Sequence, residues 1–211
     1  NDVIAVDGLN RMKTLVLDAM GVIYPVGDDV HNLLCPFITA KHGAGDYATV
    51  EKYYIQASCG KISARDLWQA VGIDPKLEDE YLQRFELTPG LPDFLKKAKS
   101  RGVEIWCLSN DLAEWSQKLR TRFGLEKYFR GFIISGDVGL RKPDPMIFRL
   151  LLERSGVPAR QLLFVDDNPL NIVAATALGI DSVLFSPSGN TKLNKKYRRA
   201  AAFDDILPLM D

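Results

Sequence analysis

Residues 14–24 read TLVLDAMGVIY, and this stretch decides the fold. Residues 14–17 favour a buried strand and run straight into a carboxylate, Asp18. A short apolar hop, Ala19 and Met20, leads to Gly21. A strand that is apolar on both faces suits the middle of a parallel sheet. In such sheets the working groups stand at the carboxyl ends of the strands, where Asp18 is the first side chain. A charge beside an apolar strand is costly unless it is paired or used. Asp18 is therefore the candidate nucleophile.

Outward from this strand, Pro25 and a polar turn at 27–29 lead into a helical region over residues 30–85 with no convincing strand. HNLLCPFITAKHG, DYATVEKYYIQASCG, SARDLWQAVG and DEYLQRFE carry apolar residues at three- and four-residue spacing. Gly43, Gly60 and Gly72 fall where helix C-caps belong, and Asp46 and Ser63 where N-caps belong. ELTPGLPDF has the composition of a stiff connector. Helices expected at 92–101, 112–123, 145–155 and 170–178 then alternate with strands at 103–108, 131–135, 162–165 and 182–185. That alternation implies βαβ units and a parallel sheet. The chain reads as an α/β core over 1–24 and 87–211, with a helical cap inserted at 25–86. An amphipathic piece at 203–210 ends it.

The composition narrows the function classes. The 27 basic residues balance 27 acidic ones, so no global field recruits nucleic acid or an anionic membrane. The short basic run LNKKYRR is read as a solvated face. No apolar run approaches ~20 residues, so no transmembrane helix is expected. The start, NDVIAVDGLNR, lacks the features of a signal peptide. Cys35, Cys59 and Cys107 are widely spaced and suggest neither a disulfide framework nor a zinc site. A reducing cytoplasmic setting is the expectation. Nothing in the chain indicates an oligomeric state.

Each later strand ends in polar residues of a particular kind. The second is followed by Ser109, Asn110 and Asp111, where a hydroxyl and free amides can hold an anion such as phosphate. The third leads to SGDVGLRKPDP, which places Arg141 and Lys142 at the start of the next helix. Dipole grounds disfavour a cation there. Lys142 makes sense as the counter-charge to a negative nucleophile and a bound phosphoryl group. The fourth strand delivers the adjacent pair Asp166 and Asp167. Their repulsion is relieved by a Mg²⁺ ion held between them and Asp18, since Mg²⁺ prefers oxygen ligands.

The order and spacing of these segments resemble the haloacid dehalogenase-like (HAD) hydrolase superfamily. The residues that carry the resemblance are LVLDAMGV, Ser109 in CLSND, Lys142 in GLRKPDP and the acidic pair of FVDDNPLNIVAA. It implies a Rossmann-like core and a small helical cap. It also implies Asp18 as nucleophile, Ser109 and Lys142 as catalytic groups and Ser109, Asn110 and Lys142 at the substrate. Mg²⁺ would be held by Asp18, the Met20 backbone carbonyl, Asp167 and Asp166. One position departs from the pattern. The superfamily's phosphatases carry a second Asp two residues after the nucleophile, as general acid and base, and here that residue is Met20.

Three readings follow. In the first, a Mg²⁺-dependent phosphatase acts on a small phosphomonoester through an aspartyl-phosphate on Asp18. It uses either a substitute acid, for which His31, Asp28 and Asp29 are the candidates, or a substrate whose leaving group needs little protonation. In the second, a 2-haloacid dehalogenase attacks carbon, needs no leaving-group acid and matches DAMGV, but has no use for Asp166 and Asp167. In the third, a catalytically silent module binds a phosphorylated ligand or a protein. Cleavage of a phosphonate would require a Schiff base on a cap lysine such as Lys52 or Lys61. Asn171, one helical turn on, is expected either to orient Asp167 or only to pack. Specificity is expected on the cap face near Tyr24, His31 and Lys61. Tyr53, Tyr54, Trp68 and Trp115 are expected to fill cores.

Overall fold

The computed structural model describes residues 14–187 and 197–211. The first eleven residues and most of the basic run read above lie outside the described residues.

The expected strands form one parallel sheet, and β1 (Thr14–Leu17) lies inside it. On one side β1 pairs with β2 (Glu104–Ser109), which pairs with β3 (Gly131–Ile134). On the other side β1 pairs with β4 (Leu162–Asp166), which pairs with β5 (Asp181–Phe185). The sequence reading did not include β6 (Arg199–Ala200). Two residues are too few to show a period, so this edge strand left no pattern to read. The order β3-β2-β1-β4-β5-β6 reverses direction at β1, and crevices of open α/β sheets form at such a point.

Strand residues alternate between two cores. Leu15, Leu17, Ile105, Cys107, Leu163 and Val165 face one side, while Val16, Leu108, Phe164 and Leu184 face the other. Both sides are closed, which is why the central strands read as continuous apolar runs. The second side is covered by α8 (Pro145–Ser155) and α9 (Pro169–Ala177) through Ile147, Phe148, Leu151 and Ile172. The first is covered by α5 (Leu91–Ser100) and α6 (Ala113–Phe123). A short α7 (Ser135–Val138), too brief for a periodic signal, follows β3.

Between β1 and α5 lie helices and turns, with one isolated bridge between Met20 and Tyr24. The helices are α1 (Cys35–Ala40), entered through a π-helical turn at Val30–Leu34, then α2 (Tyr47–Ala57), α3 (Ala64–Ala70) and α4 (Glu78–Leu82). Asp46 caps α2 through Thr49, and Ser63 forms a capping box with Asp66 on α3. The left-handed residue after α1 is His42 (φ 63°) rather than Gly43. The interior of these helices is continuous with the first core of the sheet. Trp68 and Tyr81 pack on Trp115 of α6, with ring centroids 5.4 and 5.0 Å from it. Glu78 Oε2 accepts from both Trp68 Nε1 and Trp115 Nε1 at 2.9 Å, so one carboxylate ties α3, α4 and α6 together. Trp68 and Trp115 fill this core as expected.

Candidate active site at the switch point of the sheet

Strand register brings the carboxylates together. Leu17 pairs with Val165, and the Asp18 amide donates to the Val165 carbonyl at 2.9 Å. The next residues on the two strands, Asp18 and Asp166, therefore emerge side by side. Asp18, Asp166 and Asp167 each present a carboxylate oxygen, all within 4.8 Å of one another. Asp18 and Asp166 are buried.

Lys142 answers this charge. Its Nζ lies 2.7 Å from Asp18 Oδ1 and 2.7 Å from Asp166 Oδ2. Burial alone would lower its pKa, but Asp166 and Asp18 together outweigh burial and hold it above the ordinary lysine value. Burial, then Asp166, pushes Asp18 upward, while Lys142 pulls it back. Asp167 is pushed to about 6, by burial and then by Asp166. Lys142 is not at the start of a helix, as the sequence suggested. It precedes Asp144, which caps α8 by accepting from the Met146 amide at 2.9 Å. The dipole conflict is thereby avoided, and the long side chain is free to turn into the sheet edge.

The supporting shell differs from expectation in two places. Asn171 donates to Asp166 at 3.0 Å to each oxygen, rather than to Asp167. Asp166 also accepts from the Asn168 amide at 2.8 Å, so its oxygens are heavily occupied. The Asn110 side chain pairs with the Lys142 backbone in both directions, at 2.8 Å each. It therefore fixes the strap that carries Lys142. Ser109 ends β2 fully buried, and its Oγ has no hydrogen-bond partner in the protein. This orphaned hydroxyl stands at the end of the strand beside β1, but Ser109 is not among the residues that line the cavity opening onto the carboxylates. Asp111 instead holds the Leu112 amide and shares a backbone link with Ser135.

Three carboxylates face one ammonium, an excess of negative charge that a divalent cation would neutralise. The donors are all oxygen, so they fit Mg²⁺. Asp18 Oδ2 and Asp167 are the freer donors. Gly21 and Gly27 make room for Asp167, since a Cβ at either would overlap its carboxylate. Gly21 also has φ 76°, which only glycine adopts readily.

A cavity of about 440 Å³ opens onto this cluster. Met20 lines it, as do Asp28, Asp29, Glu51, Tyr54 and Arg141. Tyr24, His31 and Lys61, expected to shape specificity, are not among the lining residues. Tyr24 is buried against Phe85 and Phe123, while His31 lies on Tyr47. Tyr54 is both core and wall. Its hydroxyl donates to the Asn110 carbonyl at 3.2 Å. The sequence reading missed Glu51, which lay on an ordinary polar helix face with no motif to mark it.

Fold and site together define an α/β hydrolase with an acidic centre at the carboxyl edge of its sheet. The family model for haloacid dehalogenase-like hydrolases matches residues 12–179, and the chain belongs to that family. A phosphoserine phosphatase from Thermus thermophilus is 34% identical over 96 residues, covering 46% of this chain and 39% of that protein. A phosphoglycolate phosphatase from Pseudomonas savastanoi pv. phaseolicola is 33% identical over 127 residues, covering 54% and 46%. The matched stretches thus span less than half of each relative. Solved structures share the fold. A HAD phosphatase from Thermococcus onnurineus has a TM-score of 0.73 at 18% identity and covers 94% of this chain and 98% of its own. A HAD family enzyme from Bacteroides thetaiotaomicron, solved with magnesium and inorganic phosphate, has a TM-score of 0.71 at 20% identity, covering 86% and 97%. No helix among the described residues is long and apolar enough to cross a membrane.

Proposed function

We propose that the chain is a Mg²⁺-dependent phosphatase of small phosphomonoesters, with Asp18 as nucleophile, and that residues 25–86 act as the cap over its cavity. The observation that carries this reading is the bridge from Lys142 to Asp18 and Asp166, at 2.7 Å each, inside a cluster that includes Asp167. Carboxylates form covalent phosphoryl intermediates when their charge is shielded from the incoming ester. Lys142 supplies part of that shielding and holds Asp18 in one rotamer. Ser109 Oγ, the backbone amides around it and Lys142 receive the negative oxygens of the phosphoryl group. Mg²⁺ bound by Asp18, Asp167, Asp166 and the Met20 carbonyl would supply charge neutralisation. Attack by Asp18 breaks the ester P–O bond and releases the alcohol, which takes its proton from solvent in the cavity. Water then cleaves the aspartyl-phosphate to inorganic phosphate and frees Asp18.

Met20 lines the cavity where a proton donor would serve the leaving group. That thioether favours a second reading, carbon–halogen cleavage, which needs no such donor. An L-2-haloacid dehalogenase from Xanthobacter autotrophicus shares the fold at a TM-score of 0.66 and 20% identity, covering 94% of this chain and 98% of its own. One assay separates the two, following phosphate and halide release with and without Mg²⁺. Phosphate release that needs Mg²⁺ and is lost in Asp18→Asn supports the phosphatase. Metal-independent halide release would replace that reading. Ligand binding without turnover would point to a silent binding module.

A further inference from the structure

Away from the reacting cluster, the cavity is walled by the turn before α1 and by α2. This wall presents Asp28, Asp29 and Glu51 against one cation, Arg141. Two of the carboxylates are accounted for by local bonds. Asp28 accepts from the His31 amide at 2.9 Å, and Glu51 accepts from the Tyr47 hydroxyl at 2.9 Å. Asp29 is different. It is only 4% exposed, and its Oδ2 has no hydrogen-bond partner in the protein. A buried, unpaired carboxylate oxygen on a cavity wall is a costly arrangement that a ligand donor relieves.

Arg141 does not neutralise it by direct pairing. Its guanidinium lies 5.8 Å from the Tyr54 ring centroid, and its Nη1 donates to Ser58 Oγ. We propose that this wall selects phosphomonoesters whose alcohol portion carries a protonated amine, held by Asp29, and disfavours those whose alcohol portion carries a carboxylate. The inference rests on the phosphatase reading for the ester end of the ligand and adds the chemistry of the other end. A carboxylate there would meet Asp28, Asp29 and Glu51 with only Arg141 to offset them. An ammonium would complete a charge-assisted hydrogen bond in a site shielded from water. Burial, and Asp28 beside it, push the Asp29 carboxyl to about 7 against its own amide, Arg141 and the Tyr54 hydroxyl.

The test compares three esters of similar size: 2-aminoethyl phosphate, propyl phosphate and phosphoglycolate. Binding is measured by calorimetry with Mg²⁺ on the Asp18→Asn protein, which cannot turn them over, and KM values are measured on the unaltered protein. The amine ester should bind at least about tenfold tighter than propyl phosphate, the fold-change of one charge-assisted bond, with phosphoglycolate weakest. Adding Asp29→Asn should bring the amine ester down to the propyl level and leave propyl phosphate unchanged. Equal binding of amine and propyl esters, a preference for phosphoglycolate, or uniform weakening of all three by Asp29→Asn would each overturn the proposal. So would an effect of Asp29→Asn on kcat with the order of affinities intact, which would make it a proton donor. If the second substitution does not fold, the ligand order on the singly altered protein decides. If no ester, nor p-nitrophenyl phosphate, is hydrolysed by the unaltered protein, the phosphatase reading fails, and the binding order still decides this one.

Discussion

Replacing Asp29 by asparagine should remove a pH dependence from the stability of the metal-free protein. The folded-state carboxyl is pushed from 3.8 to about 7, chiefly by burial. The folded protein thus keeps a proton that the unfolded chain gives up near pH ~4, and stability falls as pH rises from there to about 7, then levels off. At 1.36 kcal/mol per pH unit, this difference in proton affinity costs about 2 kcal/mol at pH 5, where the folded carboxyl is still protonated, and about 4 kcal/mol at pH 8, where it is ionised. The Asp29→Asn protein has no such group. Its amide introduces its own unpaired donor, but that penalty is constant with pH and cancels in the difference. Urea unfolding of both proteins at the two pH values, after chelator treatment, should show the variant gaining about 2–3 kcal/mol on the parent between them. The groups facing Asp29 are Asp28, Arg141 and Tyr54, and Asp111 and Tyr81 feel its charge in turn. All are common to both proteins. Parallel pH profiles would refute the reasoning, because they would mean that Asp29 titrates alike in folded and unfolded chains.

Gly21→Ala should raise the Mg²⁺ concentration for half-maximal phosphate release by roughly tenfold or more. A Cβ there meets the Asp167 carboxylate at a φ of 76°, and strain of ~1–3 kcal/mol falls on the turn against which Asp167 is set. Lys142→Met should abolish turnover and lower stability by about 3–5 kcal/mol in chemical denaturation, because two buried carboxylates lose their cation. Glu78→Ala should lower stability by about 2–4 kcal/mol and shift tryptophan emission, because two buried indole N–H groups lose one shared acceptor. Met20→Asp should raise kcat on alkyl phosphates by up to ~10²-fold and leave p-nitrophenyl phosphate little changed, since only a poor leaving group needs the proton. An equal gain on both, measured by phosphate release, would show that proton donation is not what Met20 lacks.

The parts of this site that the sequence made legible are those fixed by strand ends. Asp18, Ser109 and Asp166 each follow an apolar run, and a parallel sheet gathers such positions at one edge whatever the helices do. Asn171 was recognised as a supporting group but given the wrong partner. One turn of helix brings it within reach of either Asp of the pair, and only the path of the chain after β4 decides between them. Lys142 was recognised for its charge and misplaced on a helix, because a capping Asp144 two residues later is a local choice that periodicity does not report. The cavity wall was the least legible. Its residues come from a turn, one face of α2 and the strap at Arg141, three segments with no common spacing. The sequence singled out Asp28, Asp29 and His31 together, as equal neighbours of strand one. Folding separates them. His31 goes to the surface against Tyr47, Asp28 is spent on a helix start, and Asp29 turns inward with its Oδ2 unpaired. No short-range pattern distinguishes adjacent acidic residues in a turn, yet burial gives them opposite chemistry. The charged cluster at the sheet edge is thus readable from strand ends, because topology gathers them, whereas the cavity wall is built by packing between distant segments and is not.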